Sequence, residues 1–128
     1  NQMGKIKNVY SGAANYTGLT TASMAVPTIY PAKYLPGAGA IINRFGGNVT
    51  LGIATDNTTS DTLQYNSGGV RADSCFTLVN QLAEDADRIT VGGTVVKPLN
   101  TIIDAGKLQT QCNSGNTVNV MFERIKRA

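Results

Sequence analysis

The sequence predicts an α+β fold, an N-terminal helix packed on an antiparallel β-sheet with a cysteine pair placed to close the C-terminal region. Three observations carry this: apolar residues at helical spacing at the start, two-residue alternation in the middle and at the end, and two cysteines that bracket a second helical run.

A chain of 128 residues is the size of one domain with one core, so 1–128 is expected to form a single globular unit. Only 15% of residues are charged and 14 are glycine; with an evident surplus of Asn and Thr, this uncharged polar surface suits an exported protein. The formal charge of +3 is spread thinly apart from Glu123, Arg124, Lys126 and Arg127. No basic stripe with interleaved aromatics is present, so no specific nucleic-acid partner is expected. The sequence contains no apolar run of the roughly 18 residues a membrane helix needs, and no signal-peptide pattern.

From Gln2 to Thr17, Ile6, Val9, Tyr10, Ala13 and Tyr16 recur at three- and four-residue steps, and Gly18 follows where a helix C-cap would sit. Ile6, Val9, Tyr10 and Ala13 are the expected helix-to-sheet packing residues. No Ser, Thr or Asp precedes this helix, although Asn1 could cap it; an abrupt start suits the second half of a longer helix. Residues 19–47 hold Pro27, Pro31 and Pro36 with several glycines and read as connecting chain. Within it, Thr20 or Thr21 could cap one helical turn through Met24 before Pro27 ends it.

Val49, Leu51 and Ile53 alternate with Thr50, Gly52 and Ala54, and Leu63 and Tyr65 with Thr62, Gln64 and Asn66, which predicts two strands joined by a loop from Asp56 to Ser60. Helical spacing returns from Ser74 to Asp87, with Asp73 or Ser74 as cap and Cys75, Leu78, Val79, Leu82 and Ala86 on one face. Ile89, Val91, Val95 and Val96 flank Gly92-Gly93 as a hairpin. Asn100 to Gly106 reads as a turn, with Ile102 and Ile103 able to start a strand. The final segment, Thr117 to Ile125, has apolar residues on both faces, which predicts a strand inside the sheet.

Chemistry is poorly supplied. With no histidine, acid–base work would fall to carboxylates, Lys or Tyr. Glu84, Asp85 and Asp87 read as a solvated helix end, and the hydroxyls beside Asp61 and Asp73 as turn and cap residues with no partner base. Gly46-Gly47, Gly68-Gly69 and Gly92-Gly93 lack any phosphate-binding context and read as turns. No catalytic residues, cofactor or metal site are expected, and the protein reads as a non-enzyme. Tyr10, Tyr16, Tyr30, Tyr34 and Tyr65 could form an aromatic platform for a sugar or a protein, or serve as core and loop anchors.

Cys75 and Cys112 can form one bridge with no thiol left over, or stay as two buried thiols in a reducing compartment; a bridge would point to the periplasm or the cell surface.

This layout, together with the phrase Ala14-Asn15-Tyr16-Thr17-Gly18-Leu19-Thr20, resembles the type IV pilins, specifically the PilS-like members of the type IVb group without the hydrophobic half of their first helix. The resemblance implies that 1–18 is the second half of that helix, 19–47 the loop from helix to sheet, and 75–112 the disulfide-bounded D-region, with Cys75 joined to Cys112. It also implies a preceding helix of about 25 apolar residues, about 38 Å long. The expected function is that of a structural subunit that polymerises into a thin surface filament used in conjugation or adhesion. Its partners would be copies of itself in a helical homopolymer, the pilus assembly machinery and, through the preceding segment, the inner membrane. Its location would be the extracellular pilus, and before assembly the inner membrane and its periplasmic face. Within the group, a single disulfide favours a major pilin. The rival reading is a secreted binding module, or a minor pilin or adhesin, recognising a host or cell-surface ligand.

Overall fold

The computed structural model describes residues 2–126; Asn1 as a helix cap and Arg127 in the C-terminal charged run lie outside the described residues. Six strands form one sheet, antiparallel throughout: β1 (Ile41–Ile42), β2 (Asn48–Ala54), β3 (Thr62–Arg71), β4 (Arg88–Val91), β5 (Thr94–Lys97) and β6 (Thr117–Ile125), in spatial order β1-β2-β3-β6-β4-β5. Among the described residues the α-helices are α1 (Gln2–Val9), α2 (Thr21–Met24), α3 (Ala72–Leu82) and α4 (Ala105–Cys112).

The last strand in sequence lies between β3 and β4, inside the sheet as expected, although on its second face only Met121 and Ile125 are apolar. Register sorts the sheet into two faces. Phe122 stands opposite Tyr65 and Ile89, and Val120 opposite Ser67 and Val91, so these side chains share one face with Leu63, Leu51 and Val49. That face carries most of the core and is covered by α3 and α4, both of which pack on β6. The opposite face bears Thr50, Gln64, Asn66, Asn119, Met121 and Glu123 and is largely polar.

The first helix is shorter than its periodicity predicts. It ends at Val9, and the backbone tightens into three-residue hydrogen bonds, Tyr10 N–H to the Lys7 carbonyl at 3.2 Å and Ala13 N–H to the Tyr10 carbonyl at 3.1 Å. Ser11 and Gly12 are poor helix formers, and the unwinding delivers Tyr16 into the core, where its N–H donates to the Ser60 carbonyl at 2.8 Å. Ile6 is fully buried and Tyr10 packs against the core, but Val9 is 56% exposed and Ala13 is exposed too. The expectation of four packing residues is therefore corrected at Val9 and Ala13: the helical face that would have buried them stops at the Ser11-Gly12 break. Gly18, at φ +90°, turns the chain rather than capping a helix.

The connecting segment is anchored more firmly than its proline content suggests. Thr20 and Ser23 form a capping box at α2, and Thr21 Oγ1 accepts from Leu51 N–H at 2.9 Å, tying the segment to β2. Leu19, Met24, Ile29, Tyr30 and Ile41 are buried, and a single 3-10 turn spans Ala32–Tyr34. The turn into β2 is organised by Asn43, whose amide donates to Ser67 Oγ and the Gly68 carbonyl and whose oxygen accepts from the N–H groups of Phe45 and Gly47. At Gly47 a Cβ would lie 2.0 Å from the Gly68 carbonyl oxygen, so only glycine fits.

Three further expectations are corrected. Gly68-Gly69 is not a turn but a β-bulge inside β3, where two residues oppose Asn119 of β6 and the Gly69 N–H donates to the Asn119 side chain at 3.2 Å. β3 thus continues to Arg71 and runs straight into α3, which starts at Ala72 with Asp73 and Ser74 already in its first turn, and ends at Leu82 rather than Asp87. Finally, Ile102 and Ile103 start no strand. The loop there leads into α4, capped by Asp104, whose carboxylate accepts from Lys107 N–H at 3.1 Å.

Candidate functional site

Cys75 and Cys112 are bonded, with Cα atoms 5.6 Å apart and both residues fully buried. Cys75 lies in the first turn and a half of α3 and Cys112 ends α4, so the bridge clamps both helices over the same sheet face. A loop of sequence separation 37 is closed; in the chain-entropy account this stabilises the fold by about 4 kcal/mol. The enclosed segment comprises most of α3, the β4–β5 hairpin at one end of the sheet, a loop and α4.

Several acidic residues in and around this region are engaged structurally. Asp87 accepts from Ile125 N–H at 2.6 Å, and the Asp85 carbonyl accepts from Arg124, so the end of the α3 segment is fixed to β6. Glu84 is exposed. Asp61 is buried and gathers the N–H groups of Asp56, Asn57 and Thr58 and the hydroxyl of Thr62, all within 3.0 Å. These donors hold its carboxyl well below the usual carboxylate range. On the polar face, buried Glu123 receives Arg88 in two-pronged fashion. Among the described residues no group of three or more His, Cys, Asp and Glu side chains is arranged to hold a metal ion. Nor is any described helix long and apolar enough to cross a membrane.

The tyrosines divide into two sets. Tyr10 and Tyr16 pack ring to ring, 5.5 Å between centroids, at the N-terminal stub. Tyr30, Tyr34 and Tyr65 instead meet at a cleft of about 270 Å³ between the 30–45 segment and α3, with Phe45, Leu78 and Leu82. The hydroxyl of Tyr30 donates to that of Tyr65 at 3.1 Å, and burial pushes both phenols upward, so they remain neutral donors and acceptors at ordinary pH. The rim carries two cations stacked on rings, Lys33 over Tyr34 at 5.1 Å and Arg44 over Phe45 at 4.8 Å. Phe45 and Arg44 have no periodic signal in the sequence; the hairpin built on Asn43 brings them to the cleft.

Across the fold, α3 separates two surfaces. Leu78, Gln81 and Leu82 line the aromatic cleft, whereas Phe76, Asn80 and Ala83 line a second groove shared with Ile102, Ile103 and Leu108. Ile102 is 87% exposed.

Solved structures similar to this one include pilins. A crystal structure of type IVb pilin from Salmonella typhi superposes with a TM-score of 0.68 at 14% identity, covering 94% of this chain and 91% of that one. TcpA, a type IV pilin from the Vibrio cholerae El Tor biotype, gives a TM-score of 0.66 at 14% identity, covering 97% and 93%. An NMR structure of the type IVb pilin PilS from Salmonella typhi gives 0.52 at 16% identity, covering 98% and 88%. No curated protein matches the chain. The family model described as PilS N terminal matches residues 2–124. A one-faced antiparallel sheet, a helix-clamping disulfide and a family match over nearly the whole chain lead to one assignment: the chain belongs to the PilS family and has the type IV pilin fold.

Proposed function

We propose that the chain is the globular part of a type IVb pilus subunit, a structural and non-enzymatic protein that polymerises into a thin surface filament used in conjugation or adhesion. The family match over residues 2–124 carries the reading. The structure adds physical support, since one sheet face is covered by helices of the same chain and the folded domain presents a short N-terminal helix with Val9 exposed on its outer side. In this reading 1–18 continues from an apolar helix that anchors the subunit in the inner membrane before assembly and enters the filament core afterwards. Residues 19–47 and the disulfide-bounded region 75–112 are the edges that meet neighbouring subunits.

Immunogold electron microscopy of cells expressing the full-length gene, with antibody against the domain of residues 2–126, tests this. Labelled filaments are expected; antigen found solely as free protein in the medium sinks the proposal. The aromatic cleft keeps a second reading in view, a secreted module binding a ligand there. That reading predicts saturable glycan or receptor binding by the isolated domain that is lost in Tyr34→Ala.

A further inference from the structure

Two surface features of this chain fit one another. Ile102 is the most exposed large apolar side chain among the described residues, held out on the loop before α4. The aromatic cleft is an open apolar recess of about 270 Å³ with no carboxylate among its lining residues and with Lys33 and Arg44 at its edge. Exposed carboxylates stand beside the isoleucine: Glu84 lines its groove and Asp104 follows it by two residues. Lys97, which lines that groove, already donates to the Ala86 carbonyl at 3.0 Å, and Lys107 stands three residues beyond Asp104.

We propose that Ile102 of one subunit inserts into the aromatic cleft of the next copy, with Glu84 and Asp104 meeting Lys33 and Arg44 on its rim. The inference rests on the filament reading above and names the contact through which copies join. Its geometry follows from α3. At 3.6 residues per turn, the flank carrying Leu78, Gln81 and Leu82 and the flank carrying Phe76, Asn80 and Ala83 lie about half a turn apart, so isoleucine and cleft face opposite ways from one helix. Such a contact is heterologous: every subunit that fills a neighbour's cleft leaves its own cleft open for another, and the array grows without closing on itself as a two-fold dimer.

Filaments of the full-length protein carrying Gln81→Cys together with Ile102→Cys provide the test. Mild oxidation should yield a denaturant-resistant ladder in steps of one subunit, absent from either single variant. Intact filaments without a ladder overturn the proposed contact and leave the filament reading standing, as they would if the cleft held the chain's own N-terminal extension or a foreign ligand. No filaments from the unmodified full-length protein would remove the filament reading, and this contact with it. Should the double-cysteine protein not assemble, Ile102→Asp decides. Loss of filaments with an unchanged melting temperature of the domain supports the contact, and normal filaments overturn it.

Discussion

Arg88 and Glu123 form a fork-to-fork ion pair across β4 and β6, with Nε and a terminal guanidinium nitrogen 2.7 and 2.9 Å from the two carboxylate oxygens. Glu123 is only 2% exposed and Gln64 reaches its second oxygen at 3.4 Å. A carboxylate on the largely polar sheet face is thus sealed by its neighbours.

Removing the cation should therefore matter more than removing the pair. Arg88→Ala leaves an unpaired buried charge and is expected to cost about 2–3 kcal/mol, below the usual figure for a fully buried pair because the Arg88 side chain is 28% exposed. The double variant Arg88→Met/Glu123→Leu should recover most of that loss. Urea denaturation of the three proteins measures both effects, and equal losses in the single and double variants would contradict the account.

Replacing Cys75 and Cys112 together by serine should lower stability by about 4 kcal/mol, the chain-entropy contribution of this loop, and native protein should resist thiol alkylation until reduced. Rapid labelling of the unreduced folded domain would contradict the bonded pair.

At the N-terminal helix, two neighbouring apolar residues should behave oppositely. Ile6→Ala removes a fully buried side chain and is expected to cost about 2–4 kcal/mol, whereas Val9→Ala should stay within about 0.5 kcal/mol. Thermal unfolding of both distinguishes them; comparable losses would mean that Val9 is covered after all.

Asp61 should give stability a specific acid dependence. Its folded-state pKa lies below the ordinary value of 3.8, so the unfolded chain takes up the proton first. The stabilisation is complete above the unfolded value and is lost as pH falls through the folded one. Asp61→Asn should then be less stable than the parent at pH 7, and the gap should narrow below about pH 4. A gap that stays constant down to pH 2 would contradict the role given to the carboxylate.

How much of this the sequence discloses depends on whether a residue's role is local. Alternation over Val49–Ile53 and Thr117–Ile125 is local, and both strands, as well as the central place of β6, were legible from it. The Thr20 capping turn was legible for the same reason. The bulge at Gly68-Gly69 was not, because a glycine pair in a turn and one in a bulge differ only by what stands across the ladder, here Asn119. Helix α4 carried a signal that could have been used: Asp104 as cap, with Leu108 and Cys112 four residues apart and both buried. Val9 and Ala13 illustrate the reverse failure, where correct spacing continues past the point at which the backbone unwinds to place Tyr16. The aromatic cleft drew its walls from residues 30–82 of the chain and from Phe122, a convergence that no short window contains.

The position of β6 also bears on how the molecule comes into being. Synthesis proceeds from the N-terminus, and until the final nine-residue strand exists β3 and β4 share no partner and each offers a bare row of hydrogen-bonding groups. The domain therefore cannot complete its sheet until residues 117–125 have emerged and are free to pair. A subunit broken off before Thr117 is left with β1-β2-β3 and the β4–β5 hairpin as separate pieces, prone to pair with whatever edge they meet.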